Sequence, residues 1–328
     1  MRFGLALPQY DYSVPREHPL RFETILEYAR CAKESGFESV WLSDHLFLDL
    51  GKYGGPPDRE ACFDPVVTLA ALARLVPDVR LGTLVLCEAL RPAAVLAKTL
   101  ATLDRVCAGR LDVGLGAGWY EPEYESIGMA MPTPPVRLER LAEAVEVVKG
   151  VLGGGPFSFD GMHHRAAGAS SLPPPQQRPR PRVFVGGKGD RLLRLVAKHA
   201  DGWNTCWSWT VDAYRERLGV LERECERAGR DPSTVWRTLG LYALCGEDER
   251  DLARRFELMR ANSPRGVLDG VDLAAFRRGK LVGTVEELRA QVGEWEGLGV
   301  ETLVLGVGVV PFHVTTADDI AMFASLRP

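Results

Sequence analysis

Eight short β-rich runs alternate with segments of helical spacing along the whole chain, and this alternation constrains the fold more than any other feature of the sequence. The runs are Arg2–Pro8, Ser39–His45, Val79–Cys87, Arg110–Gly118, Arg182–Gly187, Gly202–Cys206, Val235–Cys245 and Val300–Val307. Helical spacing is read over Leu20–Ser35, Pro65–Leu75, Pro92–Cys107, Val136–Val151, Asp190–His199, Val211–Ala228, Glu247–Met259, Thr284–Leu298 and Thr316–Leu326. Start signals stand at Asp64 before Pro65, Arg91 before Pro92 and the Thr284-x-x-Glu287 capping box, and stops at Gly36, Gly109, Gly229 and Gly299. Near-continuously apolar strands predict a parallel sheet covered on both faces. An open doubly wound sheet shares that pattern, but eight units in 328 residues fit a closed (β/α)8 TIM barrel better. The expectation is one α/β domain, residues 1–328, with long insertion loops at about 153–181 and 261–280, where a substrate pocket is expected to be closed. Within the first, Phe157–Gly161 reads as part of a small hairpin.

Charge and hydropathy exclude whole classes of partner. Forty Lys and Arg face 44 Asp and Glu, a net charge of −4 without a basic run, so neither nucleic acid nor an anionic membrane is an expected partner. The first residues lack the pattern of a secretory signal, and no apolar stretch approaches a bilayer span. Seven scattered cysteines, with no zinc or redox spacing, read as reduced and mostly buried in a cytoplasmic protein, Cys87 being a possible exception by position.

Barrel chemistry gathers where the strands end. The second run closes on Asp44-His45, which places an imidazole at the mouth as an acid or base, or as a cap that hydrogen-bonds a loop. The fourth closes on Gly114-Leu115-Gly116-Ala117-Gly118 followed by Trp119-Tyr120-Glu121-Pro122, read as a loop. It is a poor dinucleotide fingerprint, and its glycines serve either the approach of a flat ring or tight packing. The fifth closes on Gly186-Gly187-Lys188-Gly189-Asp190-Arg191, whose amides and cations suit a phosphate, while a plain Gly-rich turn with Asp190 capping the helix is the alternative. Trp203, Trp207 and Trp209 follow the sixth, with at least one expected to line an apolar pocket. His163-His164 reads as an exposed loop pair, and His18, His199 and His313 show no ligand pattern, so no metal site is expected.

Taken together, Ser39 to His45, Val79 to Thr83, Gly109-Arg110-Leu111, Gly114 to Glu121, Val185 to Gly189 and Ala200 to Asn204 resemble the bacterial luciferase-like flavin oxidoreductases, specifically the branch that uses the deazaflavin coenzyme F-420. The resemblance runs from Phe3 to Leu305. It implies a hydride-transferring oxidoreductase acting on a small organic substrate. The alternatives are an oxygen-using monooxygenase with reduced FMN as cofactor and a flavin-binding protein without turnover. Asp44 and His45 would flank the ring, with His45, oriented by Asp44 or a backbone carbonyl, exchanging the proton. Leu84-Val85 would be a cis peptide behind the ring. Cys87, Gly116, Ala117, Gly118 and Trp119 would line the ring or its side chain, and Gly186, Gly187, Lys188 and Gly189 would hold the phosphate. Trp119, Trp207 and Phe63 are the expected substrate pocket. Sugar-phosphate dehydrogenases of the family carry a glutamate after the last glycine of the fourth-strand motif and an aromatic residue a few positions beyond the histidine. Trp119 and Asp49 stand there in this chain, which favours an apolar substrate. The resemblance also implies a homodimer through the Ala- and Leu-rich segments Pro65–Leu75 and Pro92–Cys107.

Overall fold

The computed structural model describes residues 1–326. Eight parallel strands close into a barrel: β1 (Arg2–Ala6), β2 (Ser39–Leu42), β3 (Arg80–Thr83), β4 (Leu111–Gly116), β5 (Val183–Gly186), β6 (Gly202–Thr205), β7 (Trp236–Gly246) and β8 (Thr302–Gly306). Each pairs with the next in sequence, and the ring closes with Val304 of β8 opposite Gly4 of β1.

The inside of the barrel is filled by a few large rings backed by glycines. Trp41 of β2 meets Phe184 of β5 at 5.8 Å, and Phe184 meets Trp236 of β7 edge-on at 5.4 Å. A Cβ at Gly4 would lie 2.3 Å from Trp41, one at Gly82 2.1 Å from it, and one at Gly114 2.5 Å from the Phe184 ring. A strand that contributes a ring therefore requires strand neighbours that contribute none. The outward faces of the strands, such as Leu5, Val40, Leu42 and Val113, pack against the helices in the second apolar layer.

Pro65–Leu75 and Asp190–His199 form helices over the expected residues, and most others differ by one or two positions at an end. Asp64 caps its helix by accepting from Val66 and Val67, and the Thr284–Glu287 capping box is formed. Four local expectations are corrected. Arg91 is no start signal, because Pro92 caps the Ala93–Val106 helix and the guanidinium is committed elsewhere. Trp119–Pro122 runs into a short helix, Glu121–Ser126, favoured by Pro122 and two carboxylates in its first turn. The second insertion contains a helix, Leu273–Arg277, and leads to a strand, Leu281–Thr284, that pairs with the second half of β7. The Val79–Cys87 run is broken, with Leu84-Val85 in a cis peptide after β3 and Leu86–Cys87 pairing with the end of β4.

The first insertion does form a hairpin, Phe157–Asp160 with Arg165–Ala169, but it does not close a pocket. It lies along the outer helices, because Glu143 accepts from the backbones of Met162, His163 and His164 at 2.8–3.0 Å and the Phe157 ring sits on Gly150, where a Cβ would leave 2.3 Å. The two histidines are therefore not exposed: His164 Nε2 lies 2.8 Å from buried Glu88, and His163 lies 3.5 Å from Glu139. All seven cysteines are free. Among the described residues no helix is long and apolar enough to cross a membrane.

Candidate functional site

The C-terminal ends of β1 to β6 converge on one polar and aromatic mouth. Its foundation is Gln9, which follows β1 and uses its whole amide. Oε1 accepts from the Ser43 backbone at 2.8 Å, and Nε2 donates to the Ser43 and Phe63 carbonyls at 2.7 Å each. The Ser43 hydroxyl meets the Tyr10 hydroxyl at 2.6 Å. Buried polar groups in such a chain are fully matched, which fixes the end of β2 and the two residues that follow it.

Asp44 is buried, and its Oδ2 accepts from the Cys87 backbone at 2.9 Å and from Arg91 at 2.7 Å. Burial pushes this carboxyl above the ordinary carboxylate range, against the opposing pull of Arg91 and the Cys87 amide. The other nitrogen of Arg91 reaches Asp64, the cap of the Pro65–Leu75 helix, at 2.7 Å. Asp44 does not orient His45. That partner is Glu123, from the short helix after β4, whose Oε2 lies 3.0 Å from His45 Nδ1 while its Oε1 accepts from the Leu46 backbone. Both side chains are largely shielded, 13% and 6% exposed, so little water competes for the contact. With Nδ1–H donating to Glu123, Nε2 of a neutral His45 is the free acceptor. His45 also has Trp119 edge-on at 5.7 Å and Tyr10 at 6.3 Å.

Glycine-rich strand ends lie at the same end of the barrel. Val85, in the cis peptide after β3, packs against the ends of β4 and β5, where a Cβ on Gly116 would come within 2.6 Å and one on Gly186 within 3.0 Å. Gly118 has φ +70°, and a Cβ there would lie 2.2 Å from the Tyr124 hydroxyl and 2.8 Å from Cys87 Sγ. Each glycine of the fourth-strand motif therefore has a packing duty: Gly114 under Phe184, Gly116 under Val85 and Gly118 under Tyr124. Burial raises the Cys87 thiol to about 11, so it is a neutral wall of the site rather than a nucleophile.

At the end of β5, Gly187 donates to the Asn204 carbonyl and accepts from Trp203 Nε1, while Gly189 starts the Asp190–His199 helix with no side-chain cap. Asp190 is not that cap, since its carboxylate pairs with Arg217 at 2.6 Å. The first-turn amides and the Lys188 ammonium, which sits 5.7 Å from the Trp209 ring, remain for an anion, and a Cβ at Gly189 would meet nothing.

Aromatic rings enclose the rest of the mouth. Trp207 stacks on Tyr242 at 5.4 Å and meets Phe312 edge-on at 5.5 Å, and Phe312 lies 6.1 Å from Tyr10. Trp203 and Trp209 are core residues. The excursion after β2, which holds the short strands Phe47–Leu48 and Glu60–Ala61, brings Lys52 to 3.9 Å over the Trp119 ring and touches the second insertion where Gly54 meets Gly266. Phe63 stands apart from these rings, packed against the barrel–helix layer. Glu123, Gln9, Tyr10 and Lys52 carry no expectation from the sequence, and Arg91 only that of a helix start. Only Glu123 carried a readable signal, the helix start at Glu121-Pro122. A hollow of about 490 Å³ at the opposite end of the barrel is lined by Arg180 and Arg230, but these are committed to Asp201 and to helix-end carbonyls.

The sequence profile of the luciferase-like monooxygenases matches residues 1–302. Curated relatives include the F420-dependent hydroxymycolic acid dehydrogenase of Mycobacterium tuberculosis, 29% identical over 310 residues that cover 91% of this chain and 81% of that protein. The F420-dependent glucose-6-phosphate dehydrogenase of Microbacterium testaceum is 29% identical over 237 residues, 72% of this chain and 66% of that enzyme. Among solved structures, the monooxygenase RslO1 from Streptomyces bottropensis superposes with a TM-score of 0.76 at 26% identity, covering 99% of this chain and 98% of its own. The closed parallel barrel, the strand-end motifs and a profile match across most of the sequence establish this chain as a member of the luciferase-like monooxygenase family.

Proposed function

We propose that the chain is a coenzyme F-420-dependent oxidoreductase acting on a small, largely apolar organic substrate. The observation that carries this reading is the union of glycine-rich ends on β4 and β5, a largely shielded His45–Glu123 pair at the same end of the barrel and a helix start without a side-chain cap next to Lys188. The names of the relatives in Mycobacterium tuberculosis and Microbacterium testaceum support the choice of deazaflavin. When bound, that coenzyme supplies a hydride donor or acceptor.

The residues present fit such a group. Val85, Ala117 and Cys87 offer a neutral wall, Asp44 a fixed carboxylate at its edge, and Gly186 to Gly189 open amides with one cation for a phosphate. His45 moves the proton that accompanies hydride transfer, accepting or donating at Nε2, and Glu123 holds the ring and stabilises its charged form. Trp119 and the Trp207–Tyr242–Phe312 cluster exclude water and receive the apolar body of the substrate. Phe63 lies outside that cluster and has no part in the proposal. The barrel and its insertions act as one domain, and two copies pair through the Pro65–Leu75 and Ala93–Val106 helices, whose Val67 and Val95 are 72% and 58% exposed.

The similarity to RslO1 favours one rival, a monooxygenase that uses reduced FMN and oxygen. Anaerobic turnover separates the two. Reoxidation of reduced F-420 by substrate without oxygen, abolished in His45→Ala while coenzyme affinity is retained, supports the proposal. Turnover only with reduced FMN and stoichiometric oxygen uptake overturns it.

A further inference from the structure

Outside the mouth, three side chains from separate segments converge on its outer rim. Donor atoms of Asp11, His18 and Glu60 all lie within 4.8 Å of one another. The backbone builds this convergence. Asp11 N–H donates to the Ala61 carbonyl at 3.0 Å, Tyr10 bridges Cys62, and Asp11 Oδ1 accepts from Leu20, two residues beyond His18, at 2.9 Å. The spacing, seven residues and then forty-two, hid this set from any reading of the sequence.

Two features separate the cluster from ordinary surface charge. First, Glu60 is half-buried, yet its side chain makes no hydrogen bond or ion pair among the described residues. Asp11 Oδ2 is little better served, with His18 Nδ1 at 3.7 Å, beyond hydrogen-bonding distance. Two carboxylates held close together keep more acceptor lone pairs than a single imidazole can match. Second, the donor set is mixed. Oxygen ligands alone suit magnesium or calcium, whereas an imidazole with two carboxylates selects a borderline ion such as zinc.

We propose that Asp11, His18 and Glu60 bind a divalent transition-metal ion, with zinc preferred over magnesium. Ligands about 2.0–2.2 Å from zinc stand roughly 3.4 Å apart in a tetrahedron, so the cluster needs only modest side-chain rotation. His18 is solvent-exposed and free to make it. The ion ties the loop after β1 to the Glu60–Ala61 strand of the excursion that carries Lys52, and so secures the rim next to Cys62, whose thiol donates to the His45 carbonyl at 2.8 Å. The proposal is independent of the coenzyme and of turnover.

The test is calorimetric titration of tag-free, chelator-treated protein with zinc chloride and, separately, magnesium chloride. The expected result is one zinc ion per chain at micromolar affinity, no magnesium binding below millimolar concentration, and a Tm raised by about 3–4 °C at a hundredfold excess over Kd. His18→Gln and Glu60→Gln, each checked for a native circular-dichroism spectrum, weaken zinc by at least about a hundredfold, since loss of a ligand exceeds the roughly 10–100-fold cost of losing an outer-shell partner. Absence of saturable zinc binding below millimolar overturns the proposal. So do wild-type isotherms in both variants, which would move the ion to the cysteines.

Discussion

At the scale of single residues the account rests on His45 and its carboxylate. Glu123→Gln keeps the size of the side chain and removes the charge facing His45 Nδ1. Turnover number is expected to fall about a hundredfold, the low end of acid–base contributions, with coenzyme affinity within a factor of about two. Stopped-flow kinetics beside a binding titration read both, and lost coenzyme binding with intact turnover would contradict the role. A second residue carries a pH signature. His313 is fully buried, neither ring nitrogen has a hydrogen-bond partner among the described residues, and burial lowers its imidazole to about 4 against the opposing pull of the Asn262 backbone. The unfolded chain takes up this proton near pH 6.5 and the folded chain only near 4. The stability that depends on a neutral His313 is therefore complete above pH 6.5 and lost as the pH falls toward 4, a loss of about 3 kcal/mol. Thermal melts between pH 7.5 and 4.5 should show a shallower decline in His313→Asn than in the wild type, and parallel curves would refute the assignment. Neither Glu123 as a partner nor His313 as an orphan is visible in the sequence, because both depend on contacts across 78 residues or on the lack of any contact.

At the scale of elements, what the sequence reveals is periodicity and caps. The helices Pro65–Leu75 and Asp190–His199 follow from helical spacing, with Asp64 as an evident cap on the first. The eight strands follow from apolar runs. What stays hidden is pairing that adds nothing to those patterns. The Leu281–Thr284 strand has no counterpart among the eight runs, and the first insertion reads as closing a pocket until Glu143 and Gly150 tie it to the wall. For the strand-end glycines the sequence leaves open the approach of a flat ring and tight packing, and the structure shows the packing. Their service to Trp41, Phe184, Val85 and Tyr124 appears only once the strands are side by side. The same logic predicts that Gly82→Ala, which would put a Cβ 2.1 Å from Trp41, destabilises the barrel by about 2–3 kcal/mol. Equilibrium urea denaturation checks it, and an unchanged midpoint would show that Trp41 can move aside.

At the scale of the whole molecule, one end of the barrel carries the candidate site, and two helices on its side carry Val67, Leu75 and Val95, three of the exposed apolar side chains. Arg91 links the two regions, bonding Asp44 at the mouth and Asp64 at the start of the Pro65–Leu75 helix. If those helices pair two copies, Val95→Asp yields a monomer by sedimentation velocity at micromolar concentration, while a wild-type profile that is already monomeric contradicts the pairing. The near-neutral charge of the chain agrees with a mouth that joins aromatic rings to paired charges and has a local cationic seat at Lys188. The central claim, that this mouth is built for a deazaflavin, is tested most directly by equilibrium fluorescence titration of the purified protein with F-420 and, in parallel, with FMN. The account predicts saturable F-420 binding at micromolar or lower Kd, at least about tenfold tighter than FMN, a gap of roughly 1.4 kcal/mol. FMN binding as tight as or tighter than F-420 would contradict it.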